Sequence, residues 1–292
     1  MANITIVVPI RNCEATLPRL LNCYKNLNRK EDAFLRFEIQ PCTDKSENII
    51  KAAAEEDPSI SYRLHSLPLG AGQLRKEGAE AATSDYVCFS DGDDYFEKDF
   101  ILDYLEVFEA TSVDAIDTSF ILDRPNRKPR KYAFRGRERV LNTLEAEKLL
   151  LNDISMRSFL TCKAFKRSLF DFEDLEFGEP RHIFEDLGLC FTLFYHCKSI
   201  AYINKANYHY VKGAPSLTSS CYIDRPLQHV KAFQSIRAFV EKKNDEKLMK
   251  VFRKSYLRSK LSFNYDVSLA KKAGAKKAWI AKWKAELRKT FH

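Results

Sequence analysis

The chain has 292 residues, of which 45% are hydrophobic and 30% charged, as in a soluble globular protein with one large α/β domain or a domain plus an appendage. No apolar run approaches the roughly 18 residues that suggest a membrane span, so the sequence does not indicate an integral membrane protein. The net charge of +8 does not indicate a basic surface throughout, because residues 271–289 alone contribute +7.

The first hundred residues alternate between strand and helix patterns. ITIVVPI is β-branched and apolar throughout, as in a strand buried on both faces, and nothing around it indicates a signal peptide. FLRFEIQ, ISYRLHS and DYVCFS also predict strands, while helical spacing is found in ATLPRLLNCYKNL, SENIIKAAAEED and Gln73 to Ala82. This alternation predicts a mostly parallel sheet, in which ligands bind beyond the carboxyl ends of the strands.

The rest of the chain is organised less regularly. VDAIDTSFIL and AYINKANYHYV each predict one strand, TLEAEKLLLND and FEDLGLCFTLFYHC predict helices, and SFLTCKAFKRSLF predicts a strand followed by a helix. DRPNRKPRKYAFRGR indicates a basic connector, and the pattern is helical from about Asp224 to His292.

Three aspartates, Asp91, Asp93 and Asp94, follow the fourth predicted strand in FSDGDDYF. Two carboxylates at i and i+2 in a loop can reach one hard cation, and oxygen ligands suit Mg²⁺ or Mn²⁺. Aspartate and glycine are also common turn residues. Taken alone, the motif leaves a cation site and a solvated turn both open.

The motifs that surround the aspartates have a characteristic order. VVPIRN, TDKS, Arg75 between Gly70 and Gly78, and SDYVCFSDGDDYF resemble the family-two glycosyltransferases, inverting enzymes with a GT-A fold. TCKAFKRSLF, FEDLGLCF and YHYVKGAPSLTSS extend the resemblance to about residue 220. It implies an α/β protein with a Rossmann-like, mostly parallel sheet flanked by helices. Residues 1–100 would form a nucleotide-binding half, 101–220 an acceptor half, and 221–292 a helical C-terminal extension.

The resemblance also implies roles for single residues. In the family a D-x-D motif binds a divalent cation, Mn²⁺ or Mg²⁺, on the donor diphosphate, and Asp94 would be the third acid that shapes the loop. The residues implied as metal ligands are Asp91, Asp93 and His209, although a histidine between two tyrosines also suits a packed, hydrogen-bonded position. The residues implied at the nucleotide are Pro9, Arg11, Asn12, Gln40, Arg75 and Asp91. Lys163 and residues 216–218 are further candidates for contact with phosphate or acceptor.

Asp186 matches the general base of the family, with Glu185 beside it. A sugar hydroxyl must lose its proton while it attacks the anomeric carbon, and a positioned carboxylate can take that proton. A single displacement of the diphosphate inverts the anomeric centre. Without the family pattern, two acids here would instead indicate a helix N-terminus favoured by the helix dipole.

The chain departs from the family pattern after the second strand. Relatives usually have an Asp-Asp-Gly run that contacts uracil, whereas this chain has Ile39-Gln40-Pro41-Cys42. The amide of Gln40 could hydrogen-bond a base, but it is neutral. UDP is the expected nucleotide, and a degenerate donor site is the alternative.

The basic tail admits two interpretations. In KKAWIAKWKAELRKTF, Trp279, Trp283 and Leu287 recur every four residues, with lysines on the other faces. Such a helix can lie in a membrane interface. It can equally pack its apolar stripe on the core or on another subunit of a homo-oligomer.

Together these features predict a metal-dependent inverting glycosyltransferase that moves a sugar from a UDP-linked donor to a growing glycan or lipid-linked acceptor, as in surface polysaccharide or lipopolysaccharide synthesis. Scattered cysteines favour the cytoplasm, with peripheral contact at the inner face of the membrane. No nucleic acid partner is expected. The alternatives are a nucleotidyltransferase and a catalytically degenerate GT-A domain that serves as a glycan-binding or scaffold subunit.

Overall fold

The computed structural model describes residues 2–132, 137–153, 156–176, 184–212 and 223–292. Strands and helices alternate through the first hundred residues, as predicted. The strands described are β1 (Ile4–Ile10), β2 (Ala33–Ile39), β3 (Ile60–Leu64), β4 (Tyr86–Phe89), β5 (Tyr95–Phe96), β6 (Ala115–Thr118), β7 (Phe120–Asp123), β8 (Arg130–Tyr132), β9 (Arg139–Asn142), β10 (Lys163–Lys166), β11 (Ser199–Ile203) and β12 (Tyr208–Val211). The helices described are α1 (Leu17–Lys25), α2 (Ser46–Glu56), α3 (Ala71–Ala81), α4 (Phe100–Ala110), α5 (Thr143–Asn152), α6 (Glu185–His196), α7 (Arg225–Lys243), α8 (Glu246–Lys254), α9 (Tyr256–Lys272) and α10 (Lys277–Phe291).

An eight-stranded sheet forms the centre of the molecule, in the order β3-β2-β1-β4-β10-β6-β11-β9. The first four strands are parallel, β10 runs antiparallel to both of its neighbours, and β9 runs antiparallel to β11. The prediction of a mostly parallel α/β sheet is therefore confirmed. Because β1, β2 and β4 are parallel, their carboxyl ends meet at one edge.

Helices cover both faces of this sheet, which explains why β1 is apolar throughout. Ile6 and Val8 belong to the core shared with α1, α2 and α4, whereas Val7 belongs to the core on the opposite face. On that face α3 lies very close to β1. A Cβ at Gly78 would approach Cγ1 of Val7 to 2.4 Å, so the close approach requires glycine.

A second sheet, in the order β5-β12-β7-β8, was not anticipated from the sequence. VDAIDTSFIL was predicted as one strand, but it forms β6 in the large sheet and β7 in the small one. AYINKANYHYV likewise divides into β11 and β12, and the predicted connector contains β8. The two chain segments cross between the sheets side by side, and the amide of Ser119 donates to the carbonyl oxygen of Lys205 at 2.9 Å.

The C-terminal helices share a core with the central sheet. One cluster of buried residues contains Phe165 of β10, Phe191 of α6, Phe233 of α7 and Trp283 of α10. The predicted boundary between a domain at 1–220 and an extension at 221–292 falls outside the described residues. What the structure describes of the extension is packed on the domain.

The last helix, α10, buries its apolar stripe within the protein. Ile280, Trp283 and Leu287 are buried, and Arg237 of α7 donates to the carbonyl oxygen of Thr290 at 3.0 Å. Trp279 stays 43% exposed. Of the two interpretations of the tail, packing on the protein's own core therefore describes most of the stripe. No helix among the described residues combines the length and apolar character needed to span a bilayer.

Candidate functional site

Polar loops follow β1 and β2 at the shared edge of the sheet, and backbone contacts hold them together. Asn12 adopts a left-handed conformation, with φ 54°, and its Oδ1 accepts a hydrogen bond from the amide of Thr43 at 2.8 Å. The amide of Gln40 donates to the carbonyl oxygen of Ile10 at 3.0 Å. These contacts bring together the residues that the sequence assigned to the nucleotide in this region, namely Pro9, Arg11, Asn12 and Gln40.

The aspartate loop after β4 packs directly against the end of β1. A Cβ at Gly92 would lie 2.7 Å from both Cys13 Sγ and Ile10 Cδ1, so the middle residue of Asp-Gly-Asp must lack a side chain. Thr16 Oγ1 donates to the Gly92 carbonyl oxygen at 2.6 Å, and Arg19 Nη2 donates to the Asp93 carbonyl oxygen at 2.8 Å. The loop is thus fixed through its backbone.

The three carboxylates of this loop converge but have different surroundings. Asp91, Asp93 and Asp94 each offer an oxygen within 4.8 Å of the others. Asp94 is buried and accepts from Tyr208 Oη at 2.6 Å and from the Val211 amide at 2.7 Å. Its carboxylate is therefore committed to shaping the loop. Asp91 is half-buried and Asp93 is exposed, so their carboxylates are more accessible than that of Asp94.

Arg75 of α3 joins the aspartate loop to the start of α6. Its Nη2 lies 2.5 Å from Asp91 Oδ1, and its Nη1 lies 2.7 Å from Asp186 Oδ1 and 3.6 Å from Glu185 Oε1. The guanidinium is almost fully buried. Residues that are far apart in sequence thus form one charged group.

Burial and like charge change the pKa values of these groups. Burial raises the pKa of Asp186 and raises the pKa of Glu185 to about 7, and in both cases Arg75 opposes the shift. Burial and the neighbouring Asp91 raise the pKa of Asp94 to about 8. Burial alone would lower the pKa of Arg75, but the three carboxylates around it raise that pKa above its ordinary value.

The composition of this group fits a divalent cation. One positive charge, Arg75, faces Asp91, Glu185 and Asp186, and Asp93 and Asp94 lie in the same loop. Desolvation and the charge of Asp91 raise the pKa of Asp93, and the charge of Arg19 opposes this shift. Hard carboxylate oxygens are the ligands that Mg²⁺ and Mn²⁺ prefer. Asp91 and Asp93 are the residues that would hold the ion.

His209 is not brought into the aspartate group. Its Nδ1 lies 2.9 Å from Asp123 Oδ2, its Nε2 lies 2.8 Å from Glu97 Oε1, and its ring stacks on Tyr95. Both ring nitrogens are therefore engaged, and we leave His209 out of the ligand set. The alternation of side chains along β12 places its neighbour Tyr208 towards Asp94 instead.

Lys163 is fully buried in the protein. Its side chain is 0% exposed and its Nζ lies 2.7 Å from Asp117 Oδ1, so the expectation of contact with phosphate or acceptor is wrong. Nζ also donates to the Phe159 carbonyl oxygen at 3.1 Å and so braces the backbone before Leu160. The amide of Leu160 points to Asp186 Oδ2 at 3.4 Å. The other candidates for that role, residues 216–218, lie outside the described residues.

Three contributors to the site were not found from the sequence: Tyr208, Arg19 and the backbone amide of Leu160. Tyr208 precedes His209, which was chosen as the candidate ligand instead. A backbone amide cannot be recognised from the sequence, because every residue except proline has one. Arg19 lies on the exposed side of α1, where an arginine is ordinary. Only the spatial approach of α1 to the aspartate loop gives it a role.

Comparisons with known proteins identify the family of the chain. A model of glycosyl transferase family 2 matches residues 5–172. The putative glycosyltransferase EpsH of Bacillus subtilis is 24% identical over 230 residues, which are 71% of this chain and 60% of EpsH. The amylovoran biosynthesis glycosyltransferase AmsB of Erwinia amylovora is 28% identical over 111 residues, 36% of this chain and 35% of AmsB. The chain thus spans less than two thirds of the length of either relative.

Solved structures share the fold at low sequence identity. Residues 1–349 of S. aureus TarS, crystallised with UDP-GlcNAc, align with a TM-score of 0.80 and 17% identity over 99% of this chain and 80% of that one. The TarS complex with UDP aligns with a TM-score of 0.73 over 96% of this chain and 78% of that one. This likeness shows a GT-A type of α/β fold. Because the family model covers more than half of the sequence, the chain belongs to glycosyl transferase family 2.

Proposed function

We propose that the chain is a metal-dependent inverting glycosyltransferase that transfers a sugar from a nucleotide-sugar to a hydroxyl of a growing glycan. The observation that carries the proposal is the Arg75 group. It joins the candidate diphosphate-metal loop, through Asp91 at 2.5 Å, to the candidate base Asp186 at 2.7 Å. The loop that binds the donor and the base that activates the acceptor would then contact the same buried guanidinium.

Asp186 suits the role of general base on two counts. Burial raises its pKa, which makes it a stronger proton acceptor than an ordinary aspartate. Its Oδ1 is held by Arg75, whereas among the residues that the structure describes Oδ2 has only the long contact with the Leu160 amide. Oδ2 is therefore the atom to which we assign the proton of the attacking hydroxyl.

The donor would lie across the carboxyl ends of β1, β2 and β4. Asp91 and Asp93 would hold a divalent cation on its diphosphate, and such a cation neutralises the charge that grows on the leaving group. Arg11, Asn12 and Gln40 line the same edge and would contact the nucleotide. Attack on the face opposite the diphosphate inverts the anomeric carbon without a covalent intermediate.

We assign UDP as the first nucleotide to test, because the TarS structures that share this fold contain UDP-GlcNAc and UDP. The name of AmsB, an amylovoran biosynthesis glycosyltransferase, supports a growing glycan as the acceptor. That the enzyme works in the cytoplasm at the membrane surface is a further part of this proposal. The neutral Gln40 stands where relatives have an acidic turn, so it is the residue most relevant to which nucleobase the donor carries. A thermal-shift panel of nucleotide-sugars with and without Mn²⁺ would identify the donor.

The proposal is tested by Mn²⁺-dependent hydrolysis of UDP-sugars in the absence of acceptor. We expect UDP release by the wild type and a loss of about a thousandfold in Asp93→Ala, because the cation would lose one of its two carboxylates. Asp85→Ala is the matched control, since this exposed aspartate precedes the opposite end of the same strand, β4.

Equal loss in both variants, or hydrolysis that is independent of the metal, would overturn the assignment. Donor binding without any turnover would instead indicate a degenerate glycan-binding subunit. Product analysis by NMR, with inversion expected at the anomeric carbon, tests the stereochemistry separately.

A further inference from the structure

Helix α9 exposes an apolar stripe to solvent. Leu257 is 72% exposed, Leu261 61% and Tyr265 62%, and they stand at i, i+4 and i+8. Residues at this spacing lie on one side of a helix. The opposite side of α9, which includes Phe263 and Val267, is buried in the core. The stripe is thus the outer face of a firmly packed helix.

The C-terminal segment that contains this stripe carries much more positive than negative charge. Residues 255–292, all of which the structure describes, contain ten basic and two acidic residues. Asp266 is buried against Arg225, and Glu286 is paired with Lys289. Exposed lysines on α9, namely Lys260, Lys271 and Lys272, border the stripe.

We propose that the outer face of α9 docks on an anionic lipid surface. Exposed leucine and tyrosine side chains can enter the interface while bordering lysines meet lipid phosphates. A second copy of this chain is a poorer occupant, because a two-fold contact would set the same cationic segment against itself. The structure also shows why α10 cannot supply this surface by itself, since Trp283 and Leu287 are buried.

Sedimentation of the full chain with vesicles tests this surface independently of catalysis. We expect binding to vesicles of phosphatidylcholine with about a third phosphatidylglycerol, and little binding to phosphatidylcholine alone, because the lysines contribute only where the surface is anionic. Leu257→Ser with Leu261→Ser should lower the affinity for the anionic vesicles at least tenfold.

The matched control is Leu67→Ser with Val140→Ser, which removes two side chains that are similarly exposed, at 68% and 55%, away from the C-terminal helices. It should bind like the wild type. Equal affinity of the two double variants, or no binding by the wild type, would overturn the proposal. So would a wild-type dimer in light scattering that Leu257→Ser with Leu261→Ser converts to a monomer.

A separate observation concerns Phe184, the residue immediately before Glu185 and Asp186. The guanidinium of Arg225 lies 5.3 Å from the centre of its ring, and the ring of His229 meets it edge to face at 5.2 Å. Both partners belong to α7. The residue that leads into the candidate base is therefore held by the C-terminal extension.

Buried polar contacts fix the two partners of Phe184. Asp266 of α9 pairs with Arg225 Nε, and its Oδ2 lies 3.0 Å from His229 Nδ1. His229 Nε2 lies 3.0 Å from Ser259 Oγ. This serine, histidine and aspartate have the order of a hydrolase triad, but all three are buried, so no substrate reaches the hydroxyl.

We infer that this contact, which we call the Phe184 clamp, positions Asp186 for proton transfer. Arg225 and His229 would fix the start of α6, so that Asp186 faces Arg75 rather than turning away. The inference rests on the proposed role of Asp186 as the base. Phe184 is a positioning residue, because its contacts are with protein side chains.

Two readouts test the clamp. Phe184→Ala should lower kcat about tenfold with an unchanged KM for the donor, and Phe184→Tyr should restore it. Amide hydrogen exchange in the first turn of α6 should be about tenfold faster in Phe184→Ala. The matched control is Tyr256→Ala, which removes a similarly half-buried aromatic ring that contacts the end of α10.

Unchanged exchange in Phe184→Ala would overturn the clamp, and so would faster exchange with a normal kcat. If the wild type transfers no sugar, the proposed function fails, while the exchange measurement still decides whether the clamp holds α6.

Discussion

Two neighbouring buried groups each contain basic and acidic side chains. They differ in the ratio of positive to negative charges. Lys163 faces a single carboxylate, Asp117, and the two side chains are 0% and 2% exposed. Arg75 is nearly as buried, but it faces Asp91, Glu185 and Asp186. The first group is neutral and closed. The second has an excess of negative charge and lies beside a loop that carries two more aspartates.

The difference separates a structural ion pair from a binding site. A balanced buried pair has no remaining affinity for an ion, and removing either partner leaves the other uncompensated. An unbalanced group contains carboxylates whose mutual repulsion a cation or a proton can relieve. The imbalance around Arg75 therefore indicates a site more strongly than any of its residues does alone.

The largest effect should come from the unbalanced group. Asp186→Asn keeps the shape of the side chain but removes the proton acceptor, so we expect transfer to fall about a thousandfold. Donor binding should be retained because Asp91 and Asp93 are unchanged. The measurement is single-turnover transfer alongside calorimetric binding of the UDP-sugar with Mn²⁺. Turnover within threefold of the wild type would contradict the assignment of the base.

The balanced pair should respond in stability instead. Lys163→Met leaves Asp117 buried without its partner, and we expect a loss of about 3 kcal/mol in the free energy of unfolding. Lys163→Met with Asp117→Leu should recover most of it. Urea denaturation of the two variants measures both values. If the double variant is no more stable than the single one, Lys163 and Asp117 do not form a self-contained ion pair.

The smallest effect should be a pH dependence of stability that originates at Glu185. Its pKa in the folded protein, about 7, exceeds its ordinary value of 4.5, so the native state binds the proton more tightly than the unfolded chain. The unfolding free energy should therefore fall, by about 2.5 kcal/mol, as pH rises from about 4.5 to 7.

Glu185→Gln should flatten that part of the profile, since an amide does not titrate. Chemical denaturation at several pH values measures the difference between wild type and variant, in which the contributions of other groups cancel. A variant profile parallel to that of the wild type would show that Glu185 is not responsible.

The sequence predicted the first half of the fold well because two signals agreed there. Apolar runs such as ITIVVPI alternated with helical spacing, and each run corresponded to one strand of one sheet. The motif order then predicted which residues meet at the strand ends. Arg75, Asp91 and Asp186 do form one group, although their hydrogen bonds to one another could not be derived from the sequence.

The second half was harder to predict for a physical reason. At Ser119 the chain passes from one sheet to the other without glycine, proline or asparagine, so β6 and β7 looked like one strand. Between β11 and β12 the chain has two asparagines, Asn204 and Asn207, which are turn residues that the prediction of a single strand overlooked. The surroundings of His209 depended on that missed sheet, because Glu97 and Asp123 reach it only through the pairing of β12 with β5 and β7.

The small sheet has a consequence for the order in which the protein can form. Asp94 receives its hydrogen bonds from Tyr208 and Val211, more than a hundred residues further along the chain. A ribosome-bound chain that ends before β12 would lack both of these donors. The contacts of the loop with Thr16 and Arg19 can form earlier, but the Asp94 carboxylate can be paired in this way only after β12 has been synthesised. A fragment limited to residues 5–172, which the family model matches, would contain the loop but not the strand that completes it.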